Sequence, residues 1–177
     1  TFAEEVKQLT YANRLGLVNS GVNNGYWPIY DLQGKSVLDI GGGPVSILLK
    51  CINHNDSVVV DPCSYPFWTH MRYTEAKIAF HRLRAEDMNG YKTDEVWIYN
   101  CLQHVENPER IFRNAKAAAK ILRVFEWINI PPHEGHPIAL TEDLLNECIG
   151  KCKSSTSGVA MLTESGCYGE AYYGVFK

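Results

Sequence analysis

Two acids bracket a run of three glycines, in Val37-Leu38-Asp39-Ile40-Gly41-Gly42-Gly43-Pro44 and, about twenty residues on, Val58-Val59-Val60-Asp61. A β-branched run that delivers the chain to glycines lets a ligand touch the main chain, because glycine takes left-handed angles without penalty. Pro44 pre-sets the first turn of a helix, where its missing N–H costs nothing. An acid at the end of the next strand is placed to accept hydrogen bonds from both hydroxyls of a ribose. The alternative is a glycine turn that only lets helix and strand pack closely; Asp39 before the loop and Asp61 after it favour a nucleotide-type cofactor site. A dinucleotide is the poorer fit, since Gly41-x-Gly43-x-x-Ser46 lacks the third glycine and Asp39 would repel a pyrophosphate. No Lys-Ser/Thr pair follows the glycines, so a P-loop is excluded. An adenosyl sulfonium carries positive charge and no phosphate, and an acid beside the loop suits it.

Five proton-accepting side chains follow downstream: His104 in NCLQHVENP, Glu126 in VFEWINIP, and His133, Glu134 and His136 in PPHEGHP. Displacement at a sulfonium needs positioning and exclusion of water more than elaborate side-chain chemistry. A general base helps where the acceptor is a hydroxyl, an acidic carbon or a protonated amine. His104, His133, His136 and Glu126 are the candidates. Each has a structural alternative: His104 could cap the adjoining turn, and Glu126 could be satisfied inside the sheet. The His133–His136 spacing is not HExxH and offers too few local ligands, so no metal is expected.

The elements that must position these groups alternate short β-branched runs with helical patterns, as in a parallel sheet with crossover helices. A helix is expected over 2–18, with Phe2, Val6, Leu9, Leu15 and Leu17 among its apolar positions, and a loop through SGVNNGYWP. Strands follow at 36–40, 57–60, 78–83, 95–99 and 122–130, and helices at 44–51, 64–76, 108–121 and 141–149, the last capped by Thr141. The segments GVAMLTES and GEAYYGVFK read as an antiparallel pair joined by a tight turn. The expected fold class is α/β: a Rossmann-like α/β/α sandwich whose mostly parallel seven-stranded sheet ends in an antiparallel C-terminal strand pair. Residues 1–177 form one domain, with 1–34 an N-terminal helix and lid segment.

The motifs resemble those of the class I S-adenosylmethionine-dependent methyltransferases over roughly residues 35–130. VLDIGGG resembles the family's first motif, VVVDP its acidic second-strand end, and DEVWIYNCLQHVENPERIFRNA its fourth strand and following helix. The resemblance implies S-adenosyl-L-methionine as cofactor. Asp39, Gly41, Gly42 and Gly43 would lie at the methionine end, Asp61 at the ribose, and Pro62 beside the adenine. Ala85 and Glu86 would approach the adenine edge, and Asn100 and Leu102 would offer backbone to the methionine amino group. Tyr11 and the Tyr26-Trp27 pair either close over the cofactor or pack as core or lid. Two positions depart from the pattern: Val45 stands where a further glycine often falls, and Arg84 replaces an acid near the adenine.

Composition narrows the partners. Formal net charge is −3 and the 17 Lys and Arg residues are scattered, so no basic face for nucleic acid is visible. No apolar run approaches the ~18–20 residues that span a bilayer, and the opening TFAEEVKQ lacks the pattern of a signal peptide. Six cysteines without a CxxC pair read as reduced, small apolar residues of a cytoplasmic protein. Asn100-Cys101-Leu102-Gln103 is nearer the small-molecule branch of the family than the base-modifying branch. The expected partner is a small-molecule or carrier-presented methyl acceptor; the alternative is a non-catalytic S-adenosylmethionine-binding subunit of a larger complex. Oligomeric state is left open.

Overall fold

The computed structural model describes residues 2–150, 152–164, 167 and 169–177, and of Phe2 and Ser155 the backbone only. The apolar role expected of the Phe2 side chain, and most of the tight turn expected before the last strand (165, 166 and 168), lie outside the described residues.

Helix α1 (Phe2–Arg14) ends earlier than its apolar pattern suggests. Gly16 takes φ +67° there and Leu17 N–H turns back to the Ala12 carbonyl at 3.0 Å, a glycine-stopped helix end. The segment expected as a loop is instead a hairpin, β1 (Asn19–Asn24) and β2 (Trp27–Asp31), turning at Gly25 with φ +62°. Strand β3 (Val37–Ile40) is buried throughout. The helix expected over 44–51 is absent: Gly43–Val45 and Ile47–Lys50 are 3-10 turns that run into the two-residue strand β4 (Cys51–Ile52).

Then come β5 (Val58–Val60), α2 (Phe67–Glu75), β6 (Ala79–His81), β7 (Glu95–Tyr99) and α3 (Pro108–Ala118). The chain closes with β8 (Ile121–Trp127), α4 (Glu142–Ile149), β9 (Ser154–Leu162) and β10 (Gly169–Phe176). Two helix starts carry the caps their sequences call for: Asn107 accepts from Arg110 N–H at 2.8 Å and Thr141 from Leu144 N–H at 3.2 Å.

The main sheet has the order β6-β5-β3-β7-β8-β10-β9. Strands β6, β5, β3, β7 and β8 are parallel; β10 runs antiparallel between β8 and β9. It is a Rossmann-like, mostly parallel seven-stranded sheet with an antiparallel C-terminal pair. The chain steps outward from β3 to β5 and β6, then returns to β7 on the other side. The crevice at that reversal, beyond the carboxyl ends, is where open α/β sheets hold ligands.

Each face buries its own core. On one, α3 presents Ile111, Phe112, Ala115 and Ala118 to Leu38, Ile40, Val96, Ile98, Leu122 and Val124, with α4 alongside. On the other, α1, α2 and the 3-10 turns cover Val37, Val59, Trp97, Tyr99 and Phe125. A second sheet, β1-β2-β4, lies where the expected helix would have run, with Tyr30 paired to Cys51. No helix among the described residues is long and apolar enough to cross a membrane. All six cysteines are free thiols.

Candidate functional site

The glycine loop joins β3 to the 3-10 turns, and its three glycines are required for different reasons. A Cβ at Gly41 would lie 2.5 Å from the Cys101 Cβ, and one at Gly42 would lie 2.5 Å from Asp39 Oδ2. Those two are needed by the protein's own packing. Gly43, at φ +61°, has only the Tyr65 hydroxyl near, 3.7 Å from where its Cβ would be. It is the glycine that leaves open room for a ligand.

Beneath the loop, Asp39 has no solvent exposure. Its Oδ2 accepts from the Ser46 hydroxyl and from the Tyr99 hydroxyl at 2.9 Å. Oδ1 has no partner among the described residues. Burial pushes this carboxyl up to about 7, against the pull of the Ser46 and Tyr99 hydrogen bonds. The N–H groups just beyond the loop are already used. Ser46 N–H donates to Tyr73 and Ile47 N–H to Tyr99, at 3.2 and 3.0 Å, while Tyr73 itself donates to the Gly43 carbonyl. A phosphate held at a helix N-terminus needs such N–H groups free. Here two tyrosine hydroxyls occupy them, so the loop is no phosphate cradle.

Asp61, 5% exposed, sits beside the loop. Oδ2 accepts from Gly43 N–H at 3.2 Å; Oδ1 accepts from Cys63 N–H at 2.9 Å and from the Tyr65 hydroxyl at 3.0 Å. Pro62 follows, exposed. Ala85 is buried at the start of the next loop, and its carbonyl, like that of Glu86, accepts from the Asn114 amide. The Glu86 carboxylate, in the loop expected to approach an adenine edge, is bonded within the protein. It accepts from Glu106 N–H at 2.9 Å and tethers the approach to α3. Burial would raise its pKa, but the backbone N–H groups and Arg84 outweigh that and hold it low. Arg84 pairs with Glu106 at 2.8 Å.

Past β7, Asn100 has φ +51° and its N–H donates to the Phe125 carbonyl at 2.9 Å. Glu126, read as a candidate base, is committed inside the sheet, the alternative that its strand position left open. It is fully buried and accepts from Cys101 N–H at 3.1 and 3.2 Å and from Leu102 N–H at 3.1 Å. Burial pushes it up to about 8 in spite of those bonds. Because the Leu102 N–H is spent on Glu126, it is not free for a ligand. Gln103, which the sequence did not single out, is 4% exposed, and its Oε1 has no partner among the described residues.

The histidines of two separate loops come together. The His104 ring lies 4.6 Å from His136, and His136 lies 4.3 Å from His133, centroid to centroid. His133 and His136 exchange backbone hydrogen bonds at 3.0 and 2.9 Å, closing the PPHEGHP loop. His104 Nδ1 is 2.6 Å from the Gly135 carbonyl. A carbonyl only accepts, so Nδ1 carries a proton, and in the neutral ring Nε2 is the nitrogen with the lone pair. Burial, then His104 and His133, hold the His136 pKa below its usual value. Glu134 is exposed. Among the described residues no cluster of three His, Cys, Asp or Glu side chains is arranged to hold a metal.

Of the aromatic residues considered as a lid, Tyr11 is core: it is 3% exposed and packs on Phe125 at 4.6 Å. Tyr26 stands 94% exposed at the hairpin tip. The Trp27 ring carries the Lys50 ammonium at 5.4 Å. A groove of about 810 Å³ lies at the opposite edge of the sheet, lined by Lys35, Lys92, Asp94 and Lys116. Its lysines already bind Glu95 and main-chain carbonyls, so volume alone does not make it the ligand site.

No family model and no curated protein sequence matches the chain. Solved structures do. The N-methyltransferase NodS from Bradyrhizobium japonicum matches with TM-score 0.65 at 12% identity, over 97% of this chain and 96% of that one. Magnesium protoporphyrin IX methyltransferase from Synechocystis, solved with bound S-adenosylmethionine, matches with TM-score 0.64 at 14% identity, over 99% and 80%. The Burkholderia thailandensis 1,6-didemethyltoxoflavin-N1-methyltransferase, solved with bound 1,6-didemethyltoxoflavin and S-adenosylhomocysteine, matches with TM-score 0.63 at 16% identity, over 82% and 72%. At such identities the likeness is one of fold: the chain has the Rossmann-like fold of these S-adenosylmethionine-dependent methyltransferases.

Proposed function

We propose that the protein is an S-adenosylmethionine-dependent methyltransferase acting on a small-molecule or carrier-presented acceptor. The observation that carries this reading is the junction of Gly43 with Asp61 at the sheet's reversal point, beside N–H groups that Tyr73 and Tyr99 have closed to phosphate. The residues present fit an adenosyl sulfonium amino acid. Asp61 has acceptor capacity for a ribose, and Gly43 leaves backbone room. The unpartnered Gln103 Oε1 is an acceptor among groups that would face an ammonium. Asp39 acts through the loop it braces, since Gly42 covers its carboxylate.

The cofactor supplies an electrophilic methyl group; the chain's part is to position, exclude water and take a proton. His104 is the favoured base: the Gly135 carbonyl fixes its tautomer and turns Nε2 outward. His133 and His136 line the acceptor side of the same loops. Glu126 shapes the turn after β7 by gathering its N–H groups, and Ala85 and Pro62 border the adenine side.

Calorimetry with S-adenosylmethionine and with NADH tests the reading. Binding of the first and not the second is expected, followed by formation of S-adenosylhomocysteine when a metabolite pool is added. Tight NADH binding would overturn it, and cofactor binding without any turnover would favour a non-catalytic binding subunit.

A further inference from the structure

Asp61 offers fewer places to a ligand than its position suggests. A carboxylate has about four acceptor sites, two on each oxygen. Oδ1 already accepts from Cys63 N–H and the Tyr65 hydroxyl, and Oδ2 from Gly43 N–H. One place remains, on Oδ2. A vicinal diol held by one carboxylate brings two hydroxyls, each to its own oxygen. The Cys63 and Gly43 N–H groups belong to the backbone of the turn and the loop and cannot leave without unmaking them. Tyr65 can. It is half-buried in the turn before α2, its ring edge-on to Phe80 at 5.9 Å, and its hydroxyl lies over Gly43. Burial, then Asp61, push this phenol well above its ordinary range, so it stays a donor.

We propose that Tyr65 and one hydroxyl of the cofactor's ribose compete for the same acceptor place on Asp61 Oδ1, which makes Tyr65 a gate that sets affinity for the ribose diol. The proposal rests on the cofactor reading above. When the ring swings aside, Asp61 keeps both backbone bonds and accepts one hydroxyl on each oxygen. The phenol, whose partner was shared with a turn at the surface, passes to water. A ligand with one ribose hydroxyl needs only the free place on Oδ2 and does not meet Tyr65.

The experiment is calorimetry on the wild-type protein, Tyr65→Phe and Tyr65→Leu. The ligands are S-adenosylhomocysteine and an analogue lacking one ribose hydroxyl. Removing a competing hydrogen bond of ordinary net strength tightens S-adenosylhomocysteine binding about three- to tenfold in both variants. The deoxy analogue binds all three proteins alike. Unchanged or weaker S-adenosylhomocysteine binding by Tyr65→Phe, in a variant that melts as the wild type does, overturns the gate and leaves the cofactor reading standing. An equal gain for both ligands also overturns it, because the effect is then not on the diol. If the wild type and both variants bind neither ligand, the cofactor reading fails and the gate fails with it.

Discussion

At the amino ends of β7 and β8, Glu95 is 1% exposed and accepts from Arg123, Lys35 and Trp97. At the carboxyl ends, Asp39 and Glu126 are just as buried, and among the described residues neither meets a cation. Burial works against the ionised form in all three. For Glu95 the Arg123 guanidinium, helped by Trp97 and Lys35, overcomes that and holds the group down at about 2. For Asp39 and Glu126 hydroxyls and backbone N–H groups do not, and the groups rise to about 7 and 8. The same side-chain chemistry thus fastens the fold by ion pairing at one edge and leaves carboxyls that hold their proton, without a cation, at the other. The difference separates an edge that fastens the fold from the edge proposed to take the ligand, and it can be broken by substitution.

The largest effect is expected at the paired edge. Arg123→Met leaves Glu95 buried without its main partner and frees the Leu15 and Gly16 carbonyls that Arg123 holds at 2.6 and 3.1 Å. A loss of about 3–5 kcal/mol in urea unfolding is expected, with cofactor affinity per folded molecule unchanged. A stable Arg123→Met protein would erase the contrast. Next comes Asp61→Ala, which should weaken S-adenosylmethionine binding by about 1–3 kcal/mol, the loss of hydrogen bonds to a charged group, read by calorimetry. Unchanged affinity would move the ribose elsewhere.

The smallest change in stability at neutral pH is expected for Asp39→Asn, within about 1 kcal/mol, because the amide keeps the acceptor for Ser46 and Tyr99. Its signature is in the pH dependence. Asp39 keeps its proton to about pH 7 in the folded chain but only to its ordinary 3.8 when unfolded. Its contribution to stability is therefore full below 3.8 and falls away as pH climbs to about 7. The asparagine variant should lack that decline. Glu95 has the opposite sign: its contribution is present above 4.5 and lost as pH falls towards about 2. Unfolding curves from pH 3 to 8 check both, and identical profiles for wild type and Asp39→Asn would remove Asp39 from the account.

The strands of the main sheet were legible because they are short apolar runs bounded by turn residues, and the acid-glycine-acid pattern led to the loop at β3. What escaped reading was decided by contacts distant in sequence. The segment after Pro44 has a helical pattern, yet Tyr73 and Tyr99 take the N–H groups of Ser46 and Ile47, and Asp39 takes the Ser46 hydroxyl. No local rule announces those partners. The hairpin at 19–31 was partly visible, since Asn24-Gly25 is a hairpin-turn pair, but Val22 and Tyr26 face solvent and give no alternation to support it. Within the site, the sequence grouped three glycines under one role, whereas Cys101 and Asp39 account for two of them. Glu86 and Glu126 sit at the expected loops with their carboxylates aimed at backbone N–H groups, a direction that spacing does not encode. His104 and His136 meet because β7 and β8 are neighbours, which the chain order allowed but did not require.

The way α1 is fastened also sets the order in which the chain can fold. Its end is clamped by Arg123, 108 residues away, and Tyr11 receives a hydrogen bond from Trp127, 116 residues away. Loops that long must close before those contacts form, and non-local contacts slow folding. During synthesis α1 therefore waits until β8 has been made before these contacts can form. An element that precedes every strand of the main sheet is thus fastened only once the fifth of them exists.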